Sequence, residues 1–429
     1  MSKMNFIHPL EFKELTRCKK IERAPLPKQV IVPLSQHTGA PSEPLVKAGD
    51  FVQAGTLIGR SKGFISANLH SSISGKVVTV DNRTGISIES DGQDTKAFPG
   101  ALRDISHLSG KEIIDIVKEA GIVGLGGAAF PTHVKLSPPP GKKIDTLIIN
   151  GAECEPFLSC DHRMMLERPK EILLGIGIIA KVLGVKDVIV GIEENKLDAI
   201  EVLGTALFSD RGQEARDKVR IVKLKTQYPQ GGEKQLIKVL LNREVPSGGL
   251  PLDIGCVVSN VQTVFSVYEA VYFGKPLYER VVTVAGSFLK EPKNILARIG
   301  TPIKDLLEFC GFNEKGDVYK IVMGGPMTGV AQYSVDVPII KGTSGILVLG
   351  KEFEAGAELD CIRCGRCIDG CPAGLMPCMI GIGVQNNRFD IASSYDPKDC
   401  IECGACGYVC PSKIPLVQLI KLAKSKTKR

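Results

Sequence analysis

The chain has 429 residues, 43% of them hydrophobic, 24% charged and 5% aromatic, with no Trp; this is too long for one ordinary core and implies about two to four domains. Its net charge of +7 is mild, gathers partly in "KLAKSKTKR" at 421–429, and lacks the basic stripe with interleaved aromatics of a nucleic-acid binder. No N-terminal apolar segment reads as a secretory signal, and the longest apolar run, "ILLGIGIIA" at 172–180, falls short of the roughly 20 residues that span a bilayer, so a soluble or peripheral protein is expected.

Residues 29–80 read as short strands broken by glycine. "VKAGDFVQAGTLIGR" at 46–60 and "SISGKVVTV" at 72–80 look like paired turns of a small β-domain. They resemble a lipoyl- or biotinyl-type sandwich, but the middle, "FISANLHSS", lacks the modifiable lysine of a carrier. From 111 the pattern alternates. "KEIIDIVKEAG" (111–121) is a helix ending at glycine, "DTLIIN" (145–150) a buried strand, "PKEILLGIGIIAKVLG" (169–184) a helix and "DVIVGI" (187–192) a strand. "KLDAIEVLGTALF" (196–208) and "KVRIVKL" (218–224) continue as helix and strand. Such alternation indicates an α/β domain with a largely parallel sheet. Short strands return over 276–350, with one helical piece, "PIKDLLEFCG". A charged linker at 351–360 leads into a cysteine-rich segment. The division expected is 1–110, 111–275, 276–350 and 351–429.

"GIVGLGGAAFPTHVKL" at 121–136 contains a literal G-x-G-x-x-A match, Gly124, Gly126 and Ala129. A dinucleotide fingerprint needs a strand before the glycines and a helix after them. Here a helix precedes and "FPTHVKLSPPP" follows, so that reading is rejected. Two remain: a run of backbone N–H groups open to an anion, with Lys135 as a nearby point charge, or a tight turn. "NGAECEP" (150–156) and "GIEENK" (191–196) each follow a strand and carry two acids, and "SNVQT" (259–263) opens a helix. Ligands bind at strand ends in open α/β sheets, although any one acid pair could be merely solvated.

Nine of the fourteen cysteines lie between 361 and 410. "CIRCGRCIDGCP" (361–372) and "CIECGACGYVCP" (400–411) both read C-x2-C-x2-C-x3-C-P, the spacing of two-cluster bacterial ferredoxins, in which the fourth cysteine ligates the other cluster. Cys361, Cys364, Cys367 and Cys410 are expected on one 4Fe-4S cluster, and Cys400, Cys403, Cys406 and Cys371 on the second. Zinc sites rarely use this spacing, still less twice. Cys378 reads as a bystander, and Cys18, Cys256 and Cys310 as small buried hydrophobes. "GLMPCMIGIGVQNNRFDIASSYD" (374–396) reads as helical pieces. "IPLVQLIKLAKSKTKR" (414–429) reads as a short helix that either docks on a partner or membrane surface or is a solvated terminus.

In order and spacing, "GLGGAAFPTHVK", "NGAECEP", "GIEEN", "QGGEKQL" (230–236) and "NVQT" resemble the flavin- and NADH-binding subunit of respiratory complex I over about 111–350. The resemblance implies non-covalent FMN held by Gly124, Gly126, Gly127 and Lys135, completed by Asn150, Glu153, Asn260 and Thr263. It implies NAD(H) as substrate along Glu155, Glu193, Glu194 and Glu233, with Phe130 and Tyr228 as aromatic contacts, and a β-grasp module near 278–340. Two full ferredoxin motifs, the N-terminal β-domain, "NGAECEP" and the turn "GGPMTG" (324–329) resemble the C subunit of Rnf-type electron transport complexes over essentially the whole chain.

The fold expected is therefore multidomain α/β: an N-terminal β barrel-sandwich-like domain, an α/β flavin- and NADH-binding domain, a β-grasp module and a helical two-cluster ferredoxin-like domain. The resemblance implies an electron-transfer subunit between NAD(H) and other subunits of an ion-transporting membrane complex that couples ferredoxin:NAD oxidoreduction to ion transport. It would be peripheral, on the cytoplasmic face of the membrane, with no nucleic-acid partner. A soluble cobalamin-type reductase and a flavin-less iron–sulfur wire are the alternatives.

Overall fold

The computed structural model describes residues 4–209, 218–354 and 356–427. Two antiparallel sheets form the N-terminal sandwich. One orders the strands Gln29–Val32, Gly85–Ser90, Gly75–Asp81 and Phe51–Val52; the other orders Glu43–Pro44, Leu57–Arg60 and Leu69–His70. Val30, Val32, Ile58, Leu69, Ile73, Val77, Ile86 and Ile88 fill the space between them.

The α/β domain is built on four parallel strands in the spatial order Val219–Leu224, Asp187–Glu193, Thr146–Asn150 and Cys256–Asn260. Helices cover the sheet, and the central strands are apolar between their end residues (TLIIN and DVIVGIE), as burial on both faces requires. The helix Gly110–Glu119 starts at a capping box: Ser109 accepts the Glu112 N–H while the Glu112 carboxylate accepts the Ser109 N–H. The helices Pro169–Leu183 and Val261–Phe273 cross tightly because a Cβ on Gly175 would collide with the Val264 carbonyl. Chain order runs outward from Thr146–Asn150 to Val219–Leu224, then returns to place Cys256–Asn260 on the other side. This reversal puts a topological switch point between Asn150 and Asn260, which are paired in register.

A third region carries a six-stranded mixed sheet, with the helix Ile303–Phe309 packed into its core. One edge strand, Ile21–Arg23, comes from the N-terminus and pairs in parallel with Lys293–Arg298. The first twenty or so described residues thus leave the sandwich and strap across the next two regions; Ile7 bridges backbone to backbone with Tyr228 on the way.

The cysteine segment is helical. Pro377–Gln385, Phe389–Ser393 and Leu416–Lys426 pack around Ile380, Val384, Ala392, Leu416, Ile420 and Ala423. The basic tail reads differently here than from sequence. Its helix docks within this domain, and Lys424 donates to the Cys400 carbonyl (2.6 Å) and to Glu402 (2.6 Å). Lys428 and Arg429 lie outside the described residues. Among the described residues no helix is long and apolar enough to cross a membrane.

Candidate functional site

The glycine loop lies at the switch point, anchored through its backbone. Leu125 donates its N–H to the Thr263 hydroxyl (2.8 Å), and its carbonyl accepts from the buried guanidinium of Arg280 (3.1 Å). Contrary to the sequence reading, a one-turn helix, Thr132–Lys135, follows the loop. It points the Lys135 amine at Glu233 (2.7 Å) and the Val258 carbonyl (3.2 Å). The two central glycines face different ways. A Cβ on Gly126 would come within 2.6 Å of Asn260 Nδ2, whereas a Cβ on Gly127 would meet nothing within 4 Å. Gly126 therefore lets the loop lie against Asn260, and Gly127 is exposed with open space beside it.

The structure brings Gly124, Gly126, Gly127, Lys135, Glu233, Asn150, Glu153, Asn260 and Thr263 around this one crevice, but it gives them different roles. Asn260 caps the helix Val261–Phe273 through Oδ1 and donates Nδ2 to Asp161 (2.6 Å). Asn150 spans the loops on either side, accepting from the Ala152 N–H and donating to the Gly231 carbonyl (2.8 Å). Glu153, at φ 45°, accepts the N–H groups of Asp161 (2.7 Å) and His162 (3.1 Å) at the start of the helix Cys160–Glu167. These side chains build the walls. Gly127, exposed, and Lys135, Phe130 and Glu233, all part-exposed, offer groups to a ligand.

Of the residues expected beside NAD(H), Glu194 is exposed and Glu193 is buried in an ion pair with Lys196 (3.2 Å); burial raises the Glu193 carboxyl above its usual range. Glu155 is a fastening between domains. Its carboxylate accepts from the N–H groups of Met327 and Thr328 and from the Thr328 hydroxyl, tying the 324–329 turn to the α/β domain. Tyr228 does not present its ring to the crevice. It is 2% exposed, and its hydroxyl donates to the Cys403 carbonyl (2.6 Å).

Sequence reasoning missed the groups that hold the acidic turn. Lys13 donates to the carbonyls of Glu153 (2.8 Å), Glu155 (2.8 Å) and Leu158, and Lys196 to that of Ala152 (2.7 Å). Asp161, buried, is pushed up to about 6 by desolvation and the neighbouring Glu153 carboxylate. Glu153, Cys160 and Asp161 bring their ligand atoms within 4.8 Å of one another. Their oxygens already accept backbone N–H groups and the amides of Asn260 and Gln262, so the cluster is a helix cap. No spacing rule exposes these residues: Lys13 lies 140 positions before Glu153.

The cysteines line two cavities. Cys361, Cys364, Cys367 and Cys410 wall one, of about 190 Å³. Cys371, Cys400, Cys403 and Cys406 wall a smaller one. Each takes three cysteines from one motif and the fourth from the other, and four convergent thiols in an apolar shell suit a cubane cluster. The second cavity adjoins the α/β domain: Cys403 and Ala405 pack with Ile7, Tyr228, Cys154 and Met327. The first opens outward, with Cys364 and Ile362 exposed.

A switch-point crevice floored by a glycine loop, next to paired four-thiol cavities, defines a class of flavin-linked iron–sulfur electron carriers. Four family descriptions match the chain: the RnfC barrel sandwich hybrid domain at 4–93, the Nuo51 FMN-binding domain at 117–269, the SLBB domain at 281–331 and a 4Fe-4S dicluster domain at 360–414. The chain is 49% identical to the C subunit of the proton-translocating ferredoxin:NAD(+) oxidoreductase complex of Clostridium ljungdahlii, covering 98% of this chain and 93% of the relative. It is 44% identical to the Na(+)-translocating counterpart of Acetobacterium woodii (97% and 95%) and 43% identical to the C subunit of the ion-translocating oxidoreductase complex of Rhodobacter capsulatus (98% and 82%). The chain belongs to the RnfC family, the C subunits of ion-translocating oxidoreductase complexes. In fold it is similar to a chain of an NAD+-reducing NiFe-hydrogenase in the air-oxidized state, at TM-score 0.50 and 20% identity, covering 67% of this chain and 54% of that one.

Proposed function

We propose that the protein is the flavin- and iron–sulfur-containing subunit through which electrons pass between NAD(H) and the other subunits of a ferredoxin:NAD oxidoreductase complex coupled to ion transport. In this reading it docks peripherally, on the cytoplasmic face of the membrane. The observation that carries the reading is the shared wall between crevice and second cavity. Cys154 accepts the Gly231 N–H (3.3 Å) and packs against the same Ile7–Tyr228–Ala405 cluster as Cys403, while Gly231 also accepts from Asn150 at the crevice.

FMN would supply the exchange between two-electron hydride chemistry and single-electron transfer. Gly127 and the neighbouring loop backbone offer it close approach, and Lys135 a cation for its phosphate. Glu233 and the exposed Glu194 stand where carboxylates can accept from the hydroxyls of a dinucleotide. Thr263 and Arg280 hold the loop by both backbone groups of Leu125, so that its open side is set before any ligand arrives. Cys371, Cys400, Cys403 and Cys406 would ligate the inner cluster, and Cys361, Cys364, Cys367 and Cys410 the outer one. Anaerobic reconstitution followed by flavin, iron and sulfide analysis tests the reading. About one FMN, eight irons and eight sulfides per chain are expected; two zincs per chain, or a full iron load without flavin, would overturn the corresponding half.

A further inference from the structure

The outer cavity holds a fifth thiol. Cys378, second residue of the helix Pro377–Gln385, stands in the wall formed by Cys361, Cys364, Cys367 and Cys410. It lies beside Cys367 in that wall, and once Cys367 is a thiolate bound to iron, only Cys378 of the two keeps a proton to donate.

The internal repeat supplies a control. Superposing the motifs pairs Cys361 with Cys400, Cys371 with Cys410, Pro372 with Pro411 and, further on, Cys378 with Val417. Val417 occupies the corresponding place in the wall of the inner cavity. The packing requirement at this position is therefore met by a small apolar side chain, and the thiol adds something the fold does not need. Hydrogen bonds to cluster sulfurs are among the factors that set a 4Fe-4S potential, because a donor draws charge from the sulfur and favours the reduced, more negative centre.

We propose that Cys378 tunes the outer cluster: its S–H donates to the Cys367 sulfur and holds that centre's reduction potential above the value an apolar residue would give. The inference rests on the reading that the two cavities bind 4Fe-4S clusters. It makes the two halves of the repeat chemically unequal where their cysteine spacing is identical. A raised outer potential favours movement of an electron from the inner centre, beside Tyr228 and Cys154, to the centre bordered by the exposed Cys364.

The test uses the full chain, reconstituted anaerobically, with each centre's potential followed by EPR-monitored redox titration and iron determined in parallel. Cys378→Val should keep the wild-type iron content and lower the potential of one centre alone. Cys378→Ser should stay near wild type, since a hydroxyl still donates. Val417→Cys, which installs the thiol in the inner cavity, should raise the potential of the other centre. Unchanged potentials in Cys378→Val, or equal shifts in both centres, would overturn the proposal. So would loss of about half the iron, which would make Cys378 a ligand instead of a donor. A wild-type chain that failed to load about eight irons would overturn the underlying cluster reading instead.

Discussion

Two adjacent glycines separate packing from ligand space. A side chain at Gly126 strikes Asn260, which caps a helix and holds Asp161; Gly126→Val should therefore lose flavin by deforming the crevice wall. Gly127→Val puts its methyl groups where the structure has nothing within 4 Å of the Cβ. It should weaken FMN binding roughly tenfold or more, about 1.4 kcal/mol, while leaving the unfolding midpoint and cluster content unchanged. Wild-type FMN affinity in Gly127→Val would mean that flavin does not lie over this loop. Lys341 sits where sandwich, α/β domain and third region meet, donating to the carbonyls of Asn68 (2.6 Å) and Gly121 (2.7 Å). Burial alone pushes its ammonium from the usual 10.5 down to about 7. Between those values the unfolded chain binds a proton that the folded chain does not, so stability rises with pH across the window by about 1.4 kcal/mol per unit. It levels off below about pH 7, where both states carry the proton. Lys341→Met should flatten this part of the profile in denaturant titrations from pH 7 to 9; an unchanged slope would contradict the assignment.

Among the elements, the acidic turn 151–158 depends most on distant parts of the chain. Glu153 and Phe157 hold left-handed backbone, at φ 45° and 66°, a conformation that side-chain-bearing residues adopt only when their surroundings impose it. Lys13 imposes it from the N-terminal strap through three carbonyls. Lys13→Met leaves those oxygens buried without a donor, at about 1–3 kcal/mol each when unsatisfied. It should lower the unfolding midpoint and release FMN, although Lys13 belongs to no flavin motif; retention of wild-type stability and flavin would show that the strap does not support the turn. The regular elements were legible because periodicity and end signals act locally: Ser109 with Glu112, the apolar strand "DTLIIN", and the glycines after the helices Gly110–Glu119 and Pro169–Leu183. The one-turn helix at Thr132–Lys135 was not, since four residues carry no period and the prolines after it read as loop. The strap was illegible for another reason: Ile21–Arg23 becomes a strand only by pairing with Lys293–Arg298, a partner far away in sequence.

For the whole molecule, cofactor chemistry was more legible than the joints between domains. Cysteine spacing encodes a tight local loop and grouped the eight motif thiols as the two cavities do, but it left out Cys378, which also lines the outer one. The residues around the crevice were recognisable as a set by order and resemblance, yet the role of each depended on hydrogen bonds that no motif records. Tyr228 and Glu155 looked like ligand contacts and prove to be fastenings, to the Cys403 carbonyl and to the 324–329 turn. These fastenings hold the inner cavity against the crevice wall, and the path we propose for electrons runs from the open loop to the exposed Cys364. Continuity of that path within a single chain is what anaerobic stopped-flow mixing of the FMN- and cluster-loaded protein with NADH, followed by freeze-quench EPR, would examine. The flavin absorbance should bleach first, and a reduced 4Fe-4S signal should follow without any added partner. Bleached flavin with clusters that stay oxidised, although a low-potential chemical reductant reduces them and their potentials lie above that of the flavin, would contradict it.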